Sequence, residues 1–303
     1  MKIIFFGLGS IGKRHLENLR AYGKKNDLKL DITSFKNTEL QTSEELIDMK
    51  YIRSFSELEK EYDVAFITNP TYKHKETLDV IAKKTKHIFL EKPAFIRSEK
   101  IEEIGIEYSN VYVAAPLRYK KIMKYIKSII PDMHIFSVEV ICSTYLPDWR
   151  SGDYRKQYSA LKKMGGGVEL DCIHEIDYVA NLFGFPDKVI KYMGKYSDLE
   201  LDSNDLALYI FIYSNKLINI HLDYFGKNPK RKLKLYTNEG NIEVDFLANK
   251  VFKNSRIFAT FEEDSNQMYV EELNYFMDVV INDKENWNDL RYANKVLELA
   301  EEK

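Results

Sequence analysis

The chain opens on an apolar run, Ile3-Ile4-Phe5-Phe6, that passes directly into Gly7-Leu8-Gly9-Ser10-Ile11-Gly12 and then into Lys13 to Tyr22, where Leu16 and Leu19 share one helical face. A buried strand, a turn of spaced glycines and an amphipathic helix, in that order, restrict the fold more than any other feature. Gly7 permits a tight turn, Gly9 lets the backbone approach a phosphate, and Gly12 lets the helix pack against the strand. The N–H groups at the helix start are then aimed at an anion. This pattern predicts a dinucleotide pyrophosphate cradle touched by Gly7, Gly9, Ser10, Ile11 and Gly12. A plain βα turn and a methyltransferase build similar connections, so the rest of the chain has to decide between them.

A chain of 303 residues has room for about two domains. Its 45 basic and 47 acidic side chains give a net charge of -2 and no long block of one sign, which argues against nucleic acid or a membrane surface as partner. The early apolar run is shorter than the roughly 7 to 15 residues of a signal-peptide core, and no run approaches the roughly 18 residues of a membrane span. A cytoplasmic protein is expected. Cys142 and Cys172 have neither disulfide-framework nor zinc-site spacing and read as small buried side chains, with no metal.

Beyond the first βα unit, residues 28–35, 63–68, 86–90 and 111–115 read as strands separated by helical spacing, as in a doubly wound parallel sheet. A linking helix is predicted over 119–130, stopped by Pro131. The grammar then changes. Residues 135–145, 189–196, 206–213, 217–225, 232–236 and 242–246 read as strands joined largely by short turns, so antiparallel pairing is expected. A helix over 168–183 interrupts them, and two more, near 269–281 and 289–300, end the chain. The fold class is therefore α/β: a Rossmann-type nucleotide domain over 1–117, then an α+β domain with an open, mainly antiparallel sheet over 118–303 for substrate and oligomerisation. Alternating apolar residues suggest that the open face packs on another subunit, as a homodimer or homotetramer; packing against the C-terminal helices is the other solution.

Glu91-Lys92-Pro93 follows a predicted strand at the carboxyl edge, where ligands of open α/β sheets bind. A lysine there can hydrogen-bond a substrate hydroxyl and help move its proton. Gly165-Gly166-Gly167 lead into a helix carrying Asp171 and His174 three residues apart, an orienting carboxylate and a base on one face. The glycine N–H groups, Gly166 among them, suit a substrate oxygen. His174-Glu175 also begins an HExxH zinc pattern, but position 178 is Tyr, so that reading fails.

Trp149, Arg150, Tyr154, Arg155 and Tyr158 form a mixture suited to stacking on a sugar and clamping an anion, in a loop that either covers a pocket or serves as an interface or solvated turn. Trp149, Arg155, Tyr158 and Arg118 are the substrate-binding candidates. The second strand ends Thr33-Ser34-Phe35-Lys36-Asn37 without the carboxylate that usually grips an NAD ribose; Ser34 and Lys36 there suit a 2'-phosphate and tilt the cofactor from NAD toward NADP. Asp31 would restore an acid if the register were displaced. Arg14 and His15 either screen the phosphates or lie on ordinary helix surface.

Taken together, GLGSIGKRHLENL at 7–19, TNPTYKH at 68–74, EKP at 91–93 and GGGVELDCIHEIDYV at 165–179 resemble the Gfo/Idh/MocA family of nicotinamide-dependent oxidoreductases, named for glucose-fructose oxidoreductase and inositol dehydrogenase. The resemblance spans nearly the whole chain. It implies that Lys92 sits beside nicotinamide and substrate, that Asp171 and His174 complete the catalytic set, and that Thr68, Asn69, Pro70, His74 and Glu91 lie along the cofactor, His74 as a helix cap or packing residue. The family's usual spacing is DxxxH, one residue longer than Asp171-Cys172-Ile173-His174. The HExD form, with residues 144–160, resembles a subgroup of bacterial surface-sugar and nonulosonate biosynthesis. The implied function is hydride transfer between NAD(P) and a secondary alcohol or ketone of a sugar or nucleotide-linked sugar. Alternatives are a redox-neutral epimerase or dehydratase with tightly held NAD, and a non-catalytic NAD(P) sensor.

Overall fold

The computed structural model describes residues 1–36 and 49–302; Asn37, at the expected strand end, lies outside them. The chain forms two units, Met1–Ala115 with Tyr269–Lys295, and Pro116–Met268 with Val296–Lys303. The stretch Tyr269–Lys295 therefore belongs to the first unit, where the sequence placed it in the second.

In the first unit, β1 (Lys2–Phe6), β2 (Asp31–Phe35), β3 (Lys50–Ile52), β4 (Tyr62–Ile67), β5 (Thr85–Leu90) and β6 (Val111–Val113) form a parallel sheet of order β3-β2-β1-β4-β5-β6. This is the doubly wound Rossmann arrangement, whose strand order reverses between β1 and β4 and opens a crevice at the carboxyl ends. Helices α1 (Ser10–Lys25) and α2 (His74–Ile81) follow β1 and β4. Near-continuous apolar strands match burial on both faces: Ile3, Phe5, Val64, Phe66 and Phe89 are fully buried. Phe5 stacks on Phe66 at 4.5 Å and Phe66 on Phe89 at 5.2 Å. The helix Gln267–Asn282 explains the corrected boundary, because its Leu273, Phe276 and Met277 complete this same core. Its buried Glu272 accepts hydrogen bonds from Tyr112 and the Ala115 N–H.

The second unit carries α3 (Lys121–Ile129), then β7 (Ile135–Tyr145), α4 (Val168–Asp171), α5 (Ile173–Phe183), β8 (Lys188–Gly194), β9 (Leu206–Ile212), β10 (Leu217–Asp223), β11 (Phe225–Thr237), β12 (Gly240–Asp245), β13 (Lys250–Lys253) and β14 (Arg256–Thr260). The eight strands run β14-β13-β12-β11-β7-β10-β9-β8, antiparallel except for the β7–β10 pair. One face buries Val138, Val140, Tyr209, Phe211, Ile220, Leu233 and Val244. On the other, Ile190, Tyr192, Ile210 and Leu217 are exposed. The predicted helix over 168–183 is broken at Cys172, whose φ of -96° and ψ of 26° separate α4 from α5. Among the described residues no helix is long and apolar enough to cross a membrane.

Candidate functional site

The glycine turn is built as its spacing requires. Gly7 has φ of +101°, and a Cβ there would lie 2.7 Å from the backbone of Asn69, so only glycine fits between β1 and the residues after β4. A Cβ at Gly12 would meet the Gly7 carbonyl at 2.2 Å, whereas one at Gly9 would meet nothing within 4 Å. Protein packing therefore explains Gly7 and Gly12, and Gly9 is left to admit something else. Gly9 is the N-cap of α1, without a capping side chain and with no acid in the first turn. The N–H groups of Ser10, Ile11 and Gly12 thus stand at a positive helix end open to an anion.

Thr68 seals the crevice floor, its N–H donating to Phe6 O at 2.9 Å and its hydroxyl to Gly7 O. Asn69 donates to Thr77 Oγ1 at 2.8 Å while its Oδ1 is buried without a hydrogen-bond partner; Pro70 beside it is exposed. An uncapped helix start, an open Gly9 and an orphaned amide oxygen fit a dinucleotide. Asp31 is paired in register with Lys2, at the opposite end of β2 from this edge, so it does not reach a ribose there. Ser34 is only 1 % exposed, sealed in the sheet beside Phe5 and Tyr51, which withdraws it as a phosphate ligand. Lys36 is the cation that remains at this strand end among the described residues, half-buried and bonded through its N–H to Ile52 O.

Lys92 follows β5 at the same carboxyl edge and is half-buried, with a cis peptide to Pro93. Glu91, expected along the cofactor, is held within the protein, and His74 packs at the start of α2, the packing role expected of it. The Glu91 carboxylate is 2.6 Å from His15 Nε2, and His74 is buried against the carbonyls of Asn69, Pro93 and Ala94. His15 is fully buried, neither helix surface nor a phosphate screen. Arg14 lies over the Tyr269 ring at 4.5 Å.

In the second unit the Asp171 carboxylate accepts the Tyr224 hydroxyl at 2.5 Å. Burial, then the Asp171 charge, raises both Tyr158 and Tyr224 above the ordinary phenol range. Arg150 stacks on the Tyr158 ring at 5.0 Å and donates to its hydroxyl at 3.4 Å. Trp149 meets Tyr224 edge-on at 5.4 Å and donates to Thr144 at 3.0 Å. His174, in the first turn of α5, is half-buried. Asp171 thus anchors a band of aromatic and hydroxyl groups of the kind that sugars pack against.

Three expected substrate contacts are corrected. Arg155 is bonded to Asp153 at 2.7 Å and to Glu200 at 3.2 Å, so two carboxylates already neutralise it. The Arg118 guanidinium grips Asp177 in a buried pair, through Nε at 2.7 Å and through Nη2. Gly166 donates its N–H to Leu161 O at 3.1 Å, and a Cβ there would lie 2.3 Å from Tyr158 O; close backbone packing, not a substrate oxygen, demands that glycine.

Sequence reasoning missed Tyr224, which lies 53 residues from Asp171, and Glu169. Glu169 is 8 % exposed; burial is the main cause that pushes its carboxyl up to about 7. Asn204 binds one of its oxygens at 2.9 Å and the other has no partner. Cys142 and Cys172 are buried, 3.7 Å apart, beside Glu175. Arg231 donates to Glu175 at 2.7 Å, so a guanidinium already supplies the positive charge there.

Residues 1–107 match the model of the Gfo/Idh/MocA oxidoreductase family with its NAD-binding Rossmann fold. The 2,7-anhydro-N-acetylneuraminate hydratase of Escherichia coli K12 is 24% identical over 195 residues, 60% of this chain; the aligned part spans only 51% of that enzyme. Among solved structures, the WlbA dehydrogenase of Bordetella pertussis with NADH and UDP-GlcNAcA has a TM-score of 0.78 at 16% identity, covering 98% of this chain and 93% of that one. Levoglucosan dehydrogenase with NADH reaches 0.82 at 15%, covering 99% and 95%. The UDP-N-acetylglucosamine 3-dehydrogenase GnnA of Acidithiobacillus ferrooxidans reaches 0.77 at 17%, covering 99% and 95%. At these identities the structural likeness is one of fold.

Proposed function

We propose that this protein is an NAD(P)-dependent oxidoreductase that moves a hydride between the nicotinamide and a secondary alcohol or ketone of a sugar or nucleotide-linked sugar. The observation that carries the reading is the glycine cradle: Gly7 and Gly12 are fixed by packing, while Gly9 opens onto space at an uncapped helix start. Gly9, Ser10, Ile11, Gly12, Asn69 and Pro70 hold the dinucleotide, which supplies or accepts the hydride when bound. Lys92 hydrogen-bonds the substrate oxygen and polarises it. His174 takes or returns the hydroxyl proton, and Asp171 favours the imidazolium that results.

The band around Asp171 is the substrate side. Trp149 and Tyr158 stack on the sugar, and Arg150, with no carboxylate partner among the described residues, meets an anionic group where Arg155 and Arg118 do not. Lys36, with no acid at the described end of β2, favours NADP over NAD. The names of the structural neighbours, a WlbA dehydrogenase with UDP-GlcNAcA, a levoglucosan dehydrogenase and a UDP-N-acetylglucosamine 3-dehydrogenase, support a sugar substrate; a place in surface-glycan or nonulosonate biosynthesis in the cytoplasm is the finer part of the proposal. The exposed Ile190, Tyr192, Ile210 and Leu217 favour assembly of two or four copies through the open sheet face.

A second reading, redox-neutral turnover with retained nicotinamide, is favoured by the hydratase relative. It predicts product formation without net change in nicotinamide absorbance. The proposal itself is tested by titrating NADH and NADPH against wild type and Gly9→Val while following fluorescence. Binding should be lost in the variant with its circular dichroism unchanged. Undiminished binding by Gly9→Val would overturn the cradle and the reading built on it.

A further inference from the structure

Two buried histidines without a chemical role in hydride transfer close on the same short loop. His15 lies in the second turn of α1, with Nε2 2.6 Å from Glu91 Oε1. Its Nδ1 is buried and has no hydrogen-bond partner, so a proton there would be stranded. The proton belongs on Nε2, donated to the carboxylate. The other Glu91 oxygen accepts the Lys92 N–H at 3.2 Å. Burial alone would raise the Glu91 carboxyl, but the hydrogen bond from His15 and the charge of Lys92 outweigh it and hold it below the usual carboxylate range.

His74 grips the other side. It is the first residue of α2 and 1 % exposed, with Nδ1 3.1 Å from both Pro93 O and Ala94 O, and Nε2 2.8 Å from Asn69 O. His15 thus ties the Glu91–Ala94 loop to α1, while His74 at the start of α2 is wedged between the carbonyls of that loop and that of Asn69; burial favours its neutral form, which has one N–H to donate to one side or the other. Both helices start at the carboxyl edge of the sheet, where the cradle lies.

We propose that His15 and His74 are positioning residues that strap the loop of Lys92 to the two helix starts holding the dinucleotide, so that seating the nucleotide also sets the ε-ammonium for chemistry. This rests on the reading that Lys92 acts on the substrate oxygen. The strap is mechanical and electrostatic: Glu91, fixed as a carboxylate by His15, cannot swing away from the Lys92 backbone, and the Pro93 and Ala94 carbonyls are packed against the buried His74 ring, whose Nδ1 lies 3.1 Å from both.

The test compares wild type, His15→Leu, His15→Gln, His74→Leu and Lys92→Ala by amide hydrogen exchange of residues 91–95, with and without NADH. Turnover is measured alongside on a UDP-sugar panel. Glutamine can place an amide N–H where His15 Nε2 stands; leucine cannot. In wild type and His15→Gln, NADH should slow exchange in the loop. In the two leucine variants that slowing should vanish with NADH affinity unchanged, and kcat should fall by about 100-fold with KM little altered, the scale of a small misplacement of a catalytic group. Retained NADH-dependent slowing in His15→Leu, or failure of His15→Gln to restore it, would overturn the proposal. If His15→Leu does not fold, His74→Leu decides by the same readout. Lys92→Ala separates the two claims: wild-type turnover by that variant would end the role given to Lys92, while the exchange result would still judge the strap.

Discussion

The hydroxyl of Tyr224 lies 2.5 Å from Oδ2 of Asp171, joining the end of β10 to the end of α4 across 53 residues of sequence. Tyr224 is fully buried, and the neighbouring Asp171 charge helps keep its phenol protonated, hence a donor. Replacing it with phenylalanine removes that donor and leaves the ring. Tyr224→Phe should lower unfolding free energy in urea by roughly 1.5–3 kcal/mol, the usual worth of a hydrogen bond to a charged group. It should also reduce kcat on the proposed reading, because Asp171 then loses one of the bonds that fix its orientation. Unchanged stability and turnover would mean that this bond orders nothing.

Glu169 makes a prediction in pH. Its carboxyl is raised from 4.5 to about 7, chiefly by burial, so the folded state holds its proton more tightly than the unfolded state. The stabilisation is fully present below the unfolded value and is lost as pH rises to about 7. Glu169→Gln keeps the acceptor for Asn204 and cannot ionise. Its melting temperature relative to wild type should therefore climb between these two values and level off above them, with a gain of at most about 3 kcal/mol. A difference that does not vary with pH would show that Glu169 is ionised in the folded protein.

Lys36 is the test of cofactor choice. Lys36→Glu places an acid where a ribose 2'-phosphate would meet a cation, and the ratio of NADPH to NADH affinity should fall by about tenfold or more. Equilibrium fluorescence titration with both nucleotides measures it. An unchanged ratio would remove Lys36 from cofactor selection.

Much of this was legible in the sequence, for identifiable reasons. The β1 turn could be read because its glycines answer local constraints, and Gly7 and Gly12 are demanded by backbone only a few ångströms away. Strand β3 escaped because three residues at a sheet edge cannot show a period. The broken helix escaped because Cys172 carries no breaker signal such as proline or glycine. Arg155 is neutralised by Asp153 two residues away, a pairing visible in the sequence, whereas the Arg118–Asp177 pair spans 59 residues. Which arginine stays uncompensated, and so suits a substrate anion, is decided by long-range pairing that no local pattern encodes. The same holds for Tyr224 at Asp171 and for His15 at Glu91, 76 residues apart.

The central claim is that Lys92 assists hydride transfer to or from a dinucleotide held by the glycine cradle. It is tested most directly by stopped-flow measurement of nicotinamide absorbance when NAD(P)-loaded wild type and Lys92→Ala are mixed with UDP-sugars and their keto forms. The account predicts an absorbance change with at least one sugar in wild type, and a rate about a thousandfold lower in Lys92→Ala with nucleotide binding intact. Equal rates in the two proteins would contradict it.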